Sequence, residues 1–400
     1  MLQLINNTLL FAFPNVHPDC KVGVEFIRTF RIPDDGKTYP LPPNCGRFPL
    51  KLVDEYQGRV HPDWVKRGGI FLPMYQAEAL WINFKPHRVT RRRAEYPFAL
   101  KISAGKRSAV TGKKWAAVLK EGDYVIVPSQ PWLDGFVVSE GKIKQFIAAP
   151  LGSGVTVEGQ LTGEEKFGGI QIEVFPMKYE EFDKRFPKIK ERKGILRSRS
   201  RSLGEDDGFV ATMDCAIPAS ADDGAQTMDW MGAEQETQTK GGLICNCAIP
   251  ERAAGPAAAG GVIKPCGISK GMGMAAGGSM RQEVYDDKFG FDVWDREAAP
   301  ASERRVFVHL ANSQLWRAIT DESPPSTPVT AEQAQRYGYP WFDFYNDDYD
   351  VSLIGASKKM KKVKSMGELK PEMLPENQSV KVPKCKVVKV NPGQVRNGSW

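Results

Sequence analysis

The stretch Asp134-Gly135-Phe136-Val137-Val138-Ser139-Glu140-Gly141-Lys142-Ile143-Lys144-Gln145-Phe146-Ile147 holds two short runs rich in aromatic and β-branched residues, 136–138 and 143–147. An acidic residue followed by glycine precedes each run, and such pairs reach the backbone conformations that tight turns require. Two apolar runs around a turn signal predict antiparallel pairing. The pattern recurs in both directions: 9–13, 22–32, 98–102, 124–127 and 170–175 are apolar or alternating, with Asp34-Asp35-Gly36 and Pro42-Pro43-Asn44 as further turns. The fold class read from this is α+β and strand-rich, a mostly antiparallel sheet system.

Helical signals are fewer. Residues 179–186 carry mixed charge and stop at Pro187, and 313–319 suits a second helix. Residues 114–120 fit one or two helical turns, and 75–84 fit either a short helix after Pro73 or a buried strand.

At 400 residues, with 41% apolar and 26% charged residues, the chain has the make-up of an ordinary globular protein. No run of about 18 apolar residues occurs, which argues against a membrane-spanning helix. The first 16 residues have no basic start and are broken by Asn6 and Asn7, a poor match to a secretory signal. Seven thinly spread cysteines predict a reducing compartment, cytoplasmic or nuclear, over a disulfide scaffold.

Composition divides the chain into four parts: a strand-rich block 1–187, an insert 188–261, a second globular block 262–355 and a basic tail 356–400. The insert contains an Arg/Ser run at 197–202, two copies of Cys-Ala-Ile-Pro at 215–218 and 247–250, and an Ala/Gly/Pro tract at 253–261. Such composition buries too little apolar surface to offset chain entropy and predicts disorder. Trp294, Trp316 and Trp341 are more than the short second block can bury alone. The two blocks are therefore expected to form one large domain with a long disordered insert.

Charge is unevenly placed. From 357 to 400 there are ten Lys and one Arg against three Glu, a net +8, while the whole chain carries +7. The remainder is thus −1. Lys358, Lys359, Lys361, Lys362 and Lys364 form the densest basic run, suited to a polyanion, an acidic protein or nuclear targeting, and equally to a solvated tail. Arg88 and Arg91-Arg92-Arg93 make a second cluster, and 381–390 suits an amphipathic strand with lysines outward.

Several segments resemble a family of uncharacterised proteins of bacteria and microbial eukaryotes. They are 69–84 (GIFLPMYQAEALWINF), 96–115 (YPFALKISAGKRSAVTGKKW), 123–136 (DYVIVPSQPWLDGF), 168–178 (GGIQIEVFPMK), 278–285 (GSMRQEVY) and 339–345 (YPWFDFY). The resemblance spans both globular blocks and skips the insert and the tail, which implies a single domain. It implies no activity, cofactor or residue role.

The richest anion-binding candidate is Gly105, Lys106, Arg107 and Ser108 with Gly112 and Lys113, where glycine backbone, a hydroxyl and cations coincide. It departs from the phosphate-binding P-loop, because six residues separate Gly105 from Gly112 and Lys114 follows Lys113. An exposed charged hairpin accounts for the same residues. The glycine-rich segment 271–278 superficially resembles a dinucleotide fingerprint but lacks its strand and helix context, and is expected to be a loop.

The repeats His17-Pro18-Asp19 and His61-Pro62-Asp63, with Cys20, Cys45 and His87, fit no metal-site spacing and are expected to be turns. Cys245 and Cys247 make at most an incomplete site. The acidic-aromatic clusters around Asp286, Asp287, Asp292 and Asp295, and around Asp343, Asp347 and Asp348, lack calcium-loop spacing and suit a solvated sheet edge. No metal and no cofactor is assigned. The leading functional expectation is a non-catalytic binding or assembly protein. An enzyme or small-anion binder using the 105–113 loop, and a nucleic-acid-associated protein acting through the basic tail, are the alternatives.

Overall fold

The computed structural model describes residues 1–90, 92, 94–188, 271–344, 352–355, 357–374 and 376–390. Ten strands form a hydrogen-bonded path in the order Leu2–Ile5, Thr8–Ala12, Lys21–Thr29, Ala79–Pro86, Lys142–Pro150, Met272–Arg281, Arg305–Ala311, Ile170–Pro176, Phe98–Ala104 and Val125–Val127. Every neighbouring pair along this path is antiparallel. Six shorter strands attach at its sides, among them Gly135–Ser139, which pairs with Lys142–Pro150 through the turn at Glu140-Gly141. The antiparallel, strand-rich α+β fold read from the sequence is the fold observed.

The order of the path shows why the two globular blocks are one domain. Met272–Arg281 and Arg305–Ala311 lie side by side in the middle of the sheet, flanked by Lys142–Pro150 on one side and Ile170–Pro176 on the other. Strands of the second block are thus paired between strands of the first. The three tryptophans follow. Trp316 packs edge-on to Phe71 at 5.5 Å, Trp341 to Phe30 at 5.2 Å and Trp294 to Tyr124 at 6.1 Å, each partner lying in the first block.

Two local expectations are corrected. Residues 271–278 are not a loop, because Met272–Arg281 is a central strand. Its glycines and alanines serve close approach: a side chain at Gly278 would begin 2.4 Å from the carbonyl oxygen of Pro33. Residues 114–120 are not helical. Lys113 and Trp115 pair with the 106–108 backbone, and the buried Lys101 ammonium takes the carbonyls of Ala116 and Val118. Of the two readings of 75–84, the strand holds, as Ala79–Pro86. Helices Tyr179–Arg185 and Ser313–Thr320 form as expected.

The insert, apart from Lys188, lies outside the described residues, together with its Cys-Ala-Ile-Pro copies and Cys245 and Cys247; so do Arg91, Arg93, Asp347 and Asp348. The segment set apart as a basic tail belongs to the fold over its described part. Met360, Val363, Met366, Leu374 and Val380 are buried, and Val387–Val390 pairs in parallel with Trp341–Phe344. Among the described residues no helix is long and apolar enough to cross a membrane.

Candidate functional site

The strand Phe98–Ala104 ends in a two-residue turn at Gly105 and Lys106, with φ of 55° and 56°, and returns as Arg107–Ser108. Left-handed backbone at both central positions is the geometry that matches the twist of a hairpin, and glycine adopts it without steric cost. The chain then folds back a second time. Ser108 N donates to the Lys113 carbonyl at 3.0 Å and Trp115 N to the Lys106 carbonyl at 2.9 Å, which sets Lys114 opposite Arg107. Lys106, Arg107 and Lys114 are thereby gathered at one sheet corner.

A second loop completes the corner. Helix Val157–Thr162 carries Glu158, whose buried carboxylate accepts the amides of Lys166, Phe167 and Gly168 at 2.8–3.1 Å. This internal carboxylate fixes the 166–168 turn beside Gly105, where any side chain at 105 would collide with it. Arg67 secures the same turn from behind: its guanidinium donates to the Phe167 and Lys166 carbonyls and lies over the rings of Phe167 and Phe307.

Between the two loops is an open groove of about 450 Å³, lined by the cations Lys106, Arg107, Lys114 and Lys166, the carboxylates Glu158 and Glu164, and the rings of Trp115 and Phe167. Lys166 is paired with Glu164. Among the described residues, Lys106, Arg107 and Lys114 have no carboxylate within 4.0 Å. Lys106 Nζ instead lies 4.3 Å from the centre of the Phe167 ring. Partial burial, and then the nearby charges of Arg67 and Arg305, pull the Lys106 pKa below its ordinary value. An anion in the groove would relieve that repulsion. The Trp115 ring is backed by the Lys101 ammonium at 4.2 Å, and Lys101 is itself held by Glu173.

Of the six loop residues singled out by sequence, Gly105, Lys106 and Arg107 line the groove and Ser108, Gly112 and Lys113 do not. Ser108 Oγ is occupied by the amides of Val110 and Thr111, and Gly112 N donates to the Ser108 carbonyl. These residues shape the turn. Lys166 and Phe167 were beyond sequence reasoning, because they lie some fifty residues away and reach the site only through the pairing of Ile170–Pro176 with Phe98–Ala104.

The remaining candidates have structural roles. In both His-Pro-Asp repeats the histidine Nδ1 accepts the amide two residues on, from Asp19 at 3.0 Å and from Asp63 at 3.1 Å. The Cys20 thiol is buried, and burial raises its pKa well above the ordinary range. Asp287 takes the Tyr124 hydroxyl, the Trp294 indole and the amides of Phe289 and Gly290. Among the described residues no group of three or more His, Cys, Asp or Glu side chains is placed to hold a metal ion. Lys358, Lys359, Lys361, Lys362 and Lys364 are exposed around the buried Met360 and Val363.

Comparison with family models, with curated proteins and with solved structures yields no match.

Proposed function

We propose that the protein is a binding protein for an anionic, phosphate- or carboxylate-bearing ligand seated in the groove over Lys106, Arg107 and Lys114. The observation that carries this reading is the convergence of three cations, which have no ion-pair partner among the described residues, on one groove that also holds the rings of Trp115 and Phe167. Exposed cations ordinarily face bulk water or a neighbouring carboxylate. Here they share one concavity, where their fields add and strengthen the attraction for an anion.

The nearby carboxylates favour binding over acid-base chemistry, since Glu158 is taken by three amides and Glu164 by Lys166. The assembly reading lacks comparable support. Among the described residues the exposed large apolar side chains are Met1, Ile5, Val118, Tyr337 and Val388, which include a single aromatic ring.

The test is calorimetric titration of inorganic pyrophosphate into the wild type and into Lys106→Ala, Lys114→Ala and Lys113→Ala. Loss of a charge-assisted bond costs roughly 1.5 to 3 kcal/mol, so the first two variants should bind at least tenfold more weakly. Lys113→Ala, outside the groove, should bind like the wild type. Absent binding, or equal loss in all three variants, would refute the reading.

A further inference from the structure

The loop that walls the groove is stapled to the lysine-rich segment that follows in the chain some 245 residues later. Ser357 Oγ donates to the Thr111 carbonyl. Met360 and Lys359 pack against Gly112, and Lys364 exchanges two hydrogen bonds with Gln160, at 2.8 and 2.9 Å. Lys144 Nζ donates to the Val363 carbonyl and pairs with Glu368. Apolar residues of the segment point inward, with Met360 fully buried and Val363 nearly so. Its five lysines, 358, 359, 361, 362 and 364, are left exposed.

Two cation sets that are far apart in sequence are thus neighbours in space. Lys114 lines the groove, Lys113 precedes it directly after Gly112, and Lys359 packs against Gly112. None of these lysines has a carboxylate within 4.0 Å among the described residues. The segment's backbone is held by the body, so little chain entropy remains to be lost when a ligand spans it.

We infer that groove and lysine ridge form one continuous surface for single-stranded nucleic acid, with a base stacked on Trp115 and phosphodiesters running over Arg107 and Lys114 onto the ridge. The inference rests on the groove being an anion site. Two features favour this partner over an acidic peptide. Lysines are point charges that track a backbone without reading side chains, and a half-buried indole between cations gives a base a stacking platform that a peptide carboxylate does not use.

The experiment is fluorescence anisotropy with the full chain and fluorescein-labelled oligothymidylates of 3 and 15 nucleotides, over a salt series. The 15-mer should bind at least about tenfold tighter than the 3-mer. Replacing Lys358, Lys359, Lys361 and Lys362 by Ala should bring the 15-mer close to the 3-mer, leave the 3-mer unchanged, and lower the slope of log affinity against log salt by roughly three. Trp115→Leu should weaken both oligomers, and Trp115→Phe should restore them. Equal affinity for the two lengths, or an unaltered 15-mer after the lysine replacement, would overturn the ridge. Unaltered binding in Trp115→Leu would overturn the stacked base. Pyrophosphate binding without oligonucleotide binding would defeat this inference alone and leave the groove as an anion site; failure of pyrophosphate would defeat the groove reading beneath it.

Discussion

Gly112 and Met360 are in such close contact that a side chain at 112 would begin 2.8 Å from the Met360 sulfur. The contact locks the basic C-terminal segment to the groove loop, and Gly112 also has φ of 67°, a conformation that favours glycine. Gly112→Val should therefore cost about 1–3 kcal/mol of stability. It should also loosen the ridge selectively. Trypsin under native conditions is expected to cut at the 358–364 lysines faster in the variant than in the wild type, and equal rates would show that the contact does not hold the segment.

The close approach of Gly278 to Pro33 makes a second expectation. Because the obstacle is a backbone carbonyl at 2.4 Å, a methyl group there must displace main chain in the middle of the sheet. Gly278→Ala should lose about 2 kcal/mol or more in urea unfolding. A change within 0.5 kcal/mol, the range of ordinary surface substitutions, would contradict the strand position of 271–278.

Lys101 is 2% exposed and pairs with Glu173, which also receives Arg304 at 3.1 Å. Burial, only partly opposed by the Glu173 charge, lowers its pKa. Lys101→Met should destabilise by about 3 kcal/mol, since it leaves Glu173 with Arg304 alone and strips the Ala116 and Val118 carbonyls of their donor. The double variant with Glu173→Gln should lose less than the sum of the single changes, measured by urea unfolding.

Two buried groups pull the pH dependence of stability in opposite directions. Burial raises Asp134 to about 7, with hydrogen bonds from Gln282 and Trp132 opposing it. The folded chain then keeps a proton that the unfolded chain loses above its ordinary value of 3.8, so stability falls as pH rises through the window from there to about 7. Burial lowers His309, stacked between Trp64 and Phe307, from 6.5 to about 3. The unfolded chain takes up a proton that the folded chain refuses, and stability falls as pH drops from 6.5 toward 3. Over the shared span from 3.8 to 6.5 the two trends oppose each other, so Asp134→Asn should make the melting temperature fall more steeply as pH drops, and His309→Phe should make it fall more steeply as pH rises. Parallel profiles for the variants and the wild type would refute both assignments.

Much of the sheet was legible because period-two apolarity and turn chemistry are local signals. The hairpin around Glu140-Gly141 and the strands Phe98–Ala104 and Ile170–Pro176 carry both. Met272–Arg281 was hidden because its environment demands small residues, and glycine and alanine read as loop when the packing partner is unknown. For the site, local chemistry pointed to Gly105, Lys106 and Arg107. It exchanged Lys113 for Lys114, since which of two adjacent lysines faces the groove depends on the pairing of Arg107 with Lys114. The tail looked separate because its charge hides a buried stripe of Met360, Val363 and Met366.

The groove claim meets its most direct test in crystals soaked with tungstate, a tetrahedral anion located by its anomalous scattering. The account predicts a peak bounded by Lys106, Arg107 and Lys114, and its disappearance in Lys106→Ala crystals. Anomalous peaks only at other lysines, with the groove empty, would contradict it.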